Sequence, residues 1–101
     1  MKGELGTMNI RRLVLDVDKA LARPTLIDLA EAIEQVAGVE GLNITVTEID
    51  IETVGMNITI EGEHLDYAAL VETIESTGAV VHSIDQLIAG SRVVEHVKRQ
   101  R

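Results

Sequence analysis

Six acidic side chains are the residues of this sequence best suited to do chemistry together. They are spread over four predicted β-strands: Asp16, Asp18, Glu48, Asp50, Glu61 and Asp85. Residues two apart on a strand point to the same side about 6.6 to 7 Å apart, so chelation of one ion requires acids from neighbouring strands. Carboxylate oxygens favour Ca²⁺ or Mg²⁺ over softer metals. We therefore predict a divalent-cation site on one face of a sheet.

Two other interpretations of these acids stay open. An acidic sheet face is often only the solvated side of a two-layer domain. Paired carboxylates can also act as general acid and base, although the pattern places none of them in an apolar pocket. An EF-hand loop is excluded, because aligning Asp16 or Glu48 with its first position puts Leu21 or Thr53 where glycine is required. Any ion site must therefore be discontinuous in the sequence.

Histidine and serine add little to this set. His64 and His82 could supply a nitrogen ligand, but strand alternation predicts that His82 faces away from Asp85. No serine has the context of a nucleophile elbow, and neither a P-loop nor a G-x-G-x-x-G motif occurs. The sequence thus favours a non-catalytic role over a hydrolytic enzyme.

Composition excludes several classes of function. The 101 residues contain no cysteine, which excludes disulfides, thiolate metal sites and cysteine nucleophiles. A net charge of −8 and a single aromatic residue, Tyr67, argue against nucleic-acid binding. No apolar run approaches the roughly 20 residues of a membrane span, and no secretory signal is visible, so we expect a cytoplasmic protein with no membrane partner.

Two helices and a first strand follow from the apolar spacing. Alternation predicts a strand from Ile10 to Asp18, with Arg12, Val14, Asp16 and Asp18 on the face opposite Leu13. Three- and four-residue spacing predicts helices over residues 26–37 and 67–77, after the N-caps Thr25 and Asp66. Gly38 and Gly78 are placed to end these helices in the left-handed conformation.

A second strand, over residues 39–51, changes phase part-way. Leu42, Ile44 and Val46 are even-numbered, whereas Ile49 and Ile51 are odd-numbered. A β-bulge near residues 47 and 48 would return both sets to one face. With a turn over residues 53–55, the pattern predicts that Ile51 pairs with Met56 and Ile49 with Ile58 on the third strand.

A fourth strand over residues 79–89 completes a βαββαβ order. This order predicts an α+β, ferredoxin-like two-layer sandwich with antiparallel sheet order 4132 and both helices on one face. We expect a flexible leader over residues 1–9, with Met8 as a second candidate start, one domain over residues 10–90, and an extension over residues 91–101. The acids above would then lie on the uncovered face.

Four stretches in this order resemble a known family. They are LVLDV at 13–17, NITVTE at 43–48, TIEGE at 59–63 and VHSID at 81–85. Together they resemble an archaeal family of small ferredoxin-like proteins, domain of unknown function 211, over residues 10–90. The resemblance implies the fold and an oligomer, and it transfers no catalytic residue.

Apolar residues without an evident core favour a homo-oligomer. Val14 and Val81 are predicted on the open face, and the extension carries Val93, Val94 and Val97, which a second subunit could bury. We therefore predict a homo-oligomeric binding or regulatory module for a small molecule or an ion, with the extension as an interface arm. The alternative is a Ca²⁺- or Mg²⁺-binding protein that uses the six acids.

Overall fold

The computed structural model describes residues 8–98. The elements are β1 (Ile10–Ala20), α1 (Leu26–Glu34), β2 (Val39–Ile49), β3 (Thr53–Gly62), α2 (Tyr67–Ser76) and β4 (Val80–Ala89). The predicted leader lies mostly outside the described residues, as do residues 99–101. Within residues 8–98, neither helix is long and apolar enough to cross a membrane.

The four strands form one antiparallel sheet in the order β2-β3-β1-β4. This is the predicted 4132 order read from the other edge, so the ferredoxin-like α+β fold is confirmed. Leu13, Leu15 and Val17 on β1 and alternate residues of β3 point to the helix-covered face, where they are fully buried with Leu29 and Ile33 of α1. The core is aliphatic, and the opposite face, here called the open face, carries no helix.

Both helices begin at the predicted caps. The Thr25 hydroxyl accepts from the Asp28 main-chain N–H at 3.0 Å, and Asp28 accepts from the Thr25 N–H at 3.1 Å. This reciprocal capping box satisfies two main-chain donors that a helix start otherwise leaves unpaired. Asp66 caps α2 in the simpler way, by accepting from the Ala69 N–H.

The predicted bulge in β2 is confirmed. The β2–β3 register shifts between Val46 and Glu48, so Thr47 is the extra residue. The predicted pairing is wrong, however: Ile49 lies opposite Val54 and Val46 opposite Met56. The turn occupies residues 50–52 instead of 53–55, because the Asp50 N–H donates to the Thr53 carbonyl and β3 begins there.

Strand β4 carries two bulges that simple alternation missed. Its register against β1 shifts between the pairs Val14/Gln86 and Leu15/Ile84, and again before Val17/Val81. Asp85 and His82 are therefore extra residues. As a result Val81 packs against the core, where the prediction had placed it on the open face, and Val80 lies on the open face opposite Asp18.

Two chain segments approach each other closely where β3 ends. The Gly38 carbonyl, which follows α1 at a φ of 93°, accepts from the Glu63 N–H at 3.1 Å. A Cβ on Gly62 would lie 1.9 Å from that carbonyl oxygen, so only glycine fits. This contact fixes the end of the sheet at which the chain enters β1 and leaves β4.

Candidate functional site

The open face holds most of the predicted acids, but in separate groups. Even-numbered residues of β1 lie on this face beside Gly55, Asn57, Thr59 and Glu61 of β3. Antiparallel partners point to the same side of a sheet, so the cross-strand register fixes which side chains can meet.

Asp18 and Glu48 approach each other across a glycine. Both pair with Gly55 of the strand between them. A Cβ at Gly55 would lie 3.3 Å from the Asp18 Oδ1 and 3.7 Å from the Glu48 Cβ. Asp18 and Glu48 thus flank the same glycine on the open face.

His82 also belongs to this group. Its Nε2 lies 2.9 Å from the Asp18 Oδ2, with both side chains about half exposed. Alternation predicted only that His82 faces away from Asp85, and it did not predict this contact with Asp18. The physical reason is the β4 bulge, which inserts His82 out of phase and turns its ring to the open face.

The other predicted acids are engaged elsewhere. Asp16 lies between Asn57 and Ser83. Asp85 accepts a hydrogen bond of 2.9 Å from the Ser83 hydroxyl. Asp50 lies in the β2–β3 turn, where its Oδ1 accepts from the Ile51 N–H. It therefore belongs to the turn and not to the strand surface.

Within residues 8–98, no three histidine, aspartate or glutamate side chains stand close enough to hold one metal ion. The six acids are thus not brought together by one chain. A divalent-cation site stays a prediction, and it requires ligands from a second copy.

Arg12 is the centre of the most connected polar group on the open face. Its Nε donates to the Glu61 Oε2 at 2.7 Å, and its Nη1 donates to the Gln86 Oε1 at 3.2 Å. Nη1 and Nη2 also donate to the two carboxylate oxygens of Glu95, at 3.0 and 3.2 Å. Bidentate pairing of this kind fixes both distance and orientation. Glu61, predicted as a metal ligand, is therefore an ion-pair partner.

Glu95 lies on a segment that has no helix or strand, residues 91–98, here called the C-terminal arm. Donation to the Glu95 carboxylate, and next to that of Glu61, raises the pKa of the Arg12 guanidinium above its usual value. These contacts stabilise the charged form of Arg12. On the same face its β4 partner, Ile88, is only 5% exposed although no helix covers it.

Two further cations lie near the ends of β1. Lys19 is 7% exposed, and its Nζ donates to the carbonyls of Ala20 and Leu21, which follow it. Arg11 approaches Glu63 at 3.6 Å, and its buried Nε has no partner within the described residues. Lys19 therefore fixes the exit from β1, while Arg11 adds charge beside the Arg12 group.

Two grooves flank the exposed edge of β2. One, of about 450 Å³, lies between α1 and β2 and is lined by Leu26, Ile27, Leu42 and Ile44 among others. The other, of about 320 Å³, lies on the open side and is lined by Asn43, Thr59 and Glu61 among others. The first is mainly aliphatic, and the second has a mixed lining with more polar side chains. Both are open, so they form surfaces on the edge of the sheet.

Comparison with known proteins gives the family. The sequence profile of DUF211, described as uncharacterized ArCR, matches residues 11–101. The chain belongs to this family. A DUF211 relative, the uncharacterized protein MJ0319 of Methanocaldococcus jannaschii, is 44% identical over 89 residues, which cover 88% of this chain and 91% of the relative. The resemblance noted over residues 10–90 is thus confirmed, and the match extends through the C-terminal arm.

Sequence reasoning missed the partners of Arg12 in this DUF211 protein. Arg12 was placed on the open face correctly, yet it was given no role. One signal was present: it is the single basic residue among the four predicted for that face of β1. Glu95 gave no such signal, because it lies 83 residues away in a segment without periodicity.

Proposed function

We propose that this protein is a non-catalytic, homo-oligomeric binding or regulatory module of the cytoplasm, whose copies associate through the two edges of the sheet. The observation that carries the proposal is the exposed aliphatic surface at both edges. Burial of such surface stabilises an association by about 25 cal/mol per Å².

The two surfaces differ in position and in shape. At the β2 side, Ile27 lines the aliphatic groove and Ile49 and Ile51 lie at and after the end of β2; each of the three is more than two-thirds exposed. At the β4 side, Ile84 and Leu87 are 40% and 45% exposed on the helix-covered face. Contiguous apolar surface of this kind is typical of interaction sites. Different surfaces at opposite edges fit head-to-tail association, in which the β4 side of one copy covers the β2 side of the next.

Strand directions are compatible with this arrangement. Every neighbouring pair in the sheet is antiparallel, so β2 and β4 run in opposite directions. Copies related by a rotation about an axis along the strands would therefore bring β4 and β2 together in antiparallel orientation. The bulges at His82 and Asp85 interrupt the β4 edge, so side-chain packing supplies most of this contact.

Sedimentation velocity at micromolar concentration tests the proposal. We expect the wild-type protein to sediment as a multiple of 11.0 kDa. Ile84→Asp with Leu87→Asp should shift the distribution to the single chain, because two carboxylates cannot be buried without partners. Ala68→Asp, at an exposed position in the first turn of α2, is the control and should leave the mass unchanged. A wild-type protein that sediments at 11.0 kDa would contradict the proposal.

Divalent-cation binding is a second candidate function. The observation in its favour is that Asp18 and Glu48 flank Gly55 on the open face, with His82 in contact with Asp18. A neighbouring copy would have to complete the oxygen ligands that Ca²⁺ or Mg²⁺ requires.

Calorimetric titration of the oligomer with Ca²⁺ and Mg²⁺ tests the cation site. We expect binding below millimolar concentration, and Asp18→Asn with Glu48→Gln should abolish it. Glu31→Gln with Glu72→Gln, at exposed positions on α1 and α2, removes the same two charges elsewhere and should have no effect. Titration heats equal to those of buffer alone would exclude the site.

A further inference from the structure

We propose that the C-terminal arm is exchanged between copies, so that Glu95 of one copy binds Arg12 of its neighbour. This inference rests on the proposed homo-oligomer and adds a specific contact to it. Every copy carries the same Arg12 with its partners Glu61 and Gln86. Glu95 of a neighbouring copy can therefore make the contact that is seen within one chain.

The arm is held weakly within its own chain. Among the described residues, all hydrogen bonds from the arm to the domain come from Glu95. The main chain is last anchored at Gly90, whose N–H donates to the Asn9 carbonyl at 2.8 Å. Gly90 has a φ of 114°, a conformation in which glycine allows the chain to change direction. Apart from Glu95, Val93 is about half covered and lines a small cleft with Arg11 and Arg12. Loss of these few side-chain contacts would free the arm.

The folded-back position also leaves apolar groups in water. Val94 and Val97 are 68% and 78% exposed, and Val93 is 46% exposed. Exchange preserves the Arg12–Glu95 pair and offers these valines the surface of a second copy. Exchange of identical segments costs little, because each interaction that breaks within a chain forms again between chains.

The length of the arm fits this geometry. In head-to-tail association, the neighbour's β1 lies three strand spacings from β4, about 14 Å at about 4.8 Å each. The five residues from Gly90 to Glu95 reach about 17 Å when extended. Gly90 and Arg12 lie at the same end of the sheet, since β4 ends where β1 begins. A neighbour's Arg12 is therefore within reach.

Charge reversal distinguishes exchange from folding back. Arg12→Glu and Glu95→Arg each place like charges at the contact, and each variant alone should associate about tenfold more weakly than wild type. Mixing the two variants should restore association, because each arm then meets an opposite charge only on the other variant. The double variant restores opposite charges at this contact and should associate more strongly than Arg12→Glu, although the ion pair with Glu61 stays lost in both. The exchange is overturned if the double variant associates more strongly than Arg12→Glu while the mixture associates no more strongly than either variant alone.

Cysteine cross-linking gives a readout that does not depend on the stability of Arg12→Glu. The chain contains no cysteine, so introduced thiols are unique. Gln86→Cys and Val94→Cys leave Glu95 in place, because Val94 is its exposed neighbour on the arm. Made in separate chains of different tag size and mixed, they should form a linked pair of unequal chains with a short bismaleimide. An Ala68→Cys chain in place of Gln86→Cys is the control and should give none. An oligomeric wild type without the mixed product overturns the exchange alone, whereas a monomeric wild type overturns the proposed function.

Discussion

Single side chains set local geometry here through hydrogen bonds to charged groups. Arg12 links Glu61 of β3, Gln86 of β4 and Glu95 of the arm, so one guanidinium joins three parts of the chain. Asp28 acts over a shorter range, at the start of α1. The main-chain N–H of Thr25 lowers the pKa of the Asp28 carboxyl below its ordinary value of 3.8, with smaller contributions from the Thr25 hydroxyl and Arg23. These hydrogen bonds stabilise the charged guanidinium of Arg12 and the charged carboxylate of Asp28.

Asp28 gives the fold a predictable acid dependence. A carboxyl whose pKa is lower in the folded state stabilises that state above its unfolded pKa, and the effect disappears as pH falls through the folded pKa. Asp28→Ala should therefore lower the urea midpoint at neutral pH, and its difference from wild type should shrink below about pH 3.8. Glu31→Ala, at an exposed position on the same helix, is the control. An Asp28→Ala difference that is constant down to about pH 3 would contradict this assignment.

At the scale of elements, spacing predicted the bulge near Thr47 in β2 and missed the other register shifts, including the two in β4. The phase change from Val46 to Ile49 revealed the bulge in β2, because both residues had to face the core. In β4 the residues on the core side are Val81, Ile84 and Leu87, each three apart. That spacing signals one extra residue in each interval, but alternation of Val80, His82 and Ile84 fits the sequence equally well. Only the register with β1 decides between them.

The candidate site was less predictable than the fold for a related reason. Alternation identifies the face of a strand, and it correctly put Asp16, Asp18 and Glu61 on the open face. It carries no information on which side chains meet across strands or on where an irregular segment lies. The contact of Arg12 with Glu95 depends on both, and the position of His82 depends on a bulge.

The close approach at Gly62 supports a prediction about element packing. Gly62→Ala would place a Cβ 1.9 Å from the Gly38 carbonyl oxygen, so main chain must shift. We expect a loss of about 2 to 3 kcal/mol in the free energy of unfolding, the range for overpacked sites. Gly41→Ala is the matched control, because its Cβ would meet nothing within 4 Å. Equal urea midpoints for the two variants would show that the β3 end is not tightly packed.

For the whole molecule, aliphatic surface at both sheet edges and net negative charge act in opposite directions. A charge of −8 repels identical copies, while apolar side chains at the β2 and β4 sides favour their contact. The Arg12 group offsets part of the repulsion by placing a cation among acids at the end of the sheet where arms would cross. The mass measured by sedimentation therefore shows whether charge repulsion or apolar contact between copies prevails.

The bulges in β4 also limit how the protein can grow. A regular exposed edge offers its main-chain groups to any passing strand, and stacking of such edges leads to fibrils. His82 and Asp85 break the spacing of those groups on the outer side of β4. Contacts there must come from shaped side-chain surfaces, which accept one partner in one orientation. His82 and Asp85 thus have a second effect: they make the β4 edge a poor site for the addition of further strands.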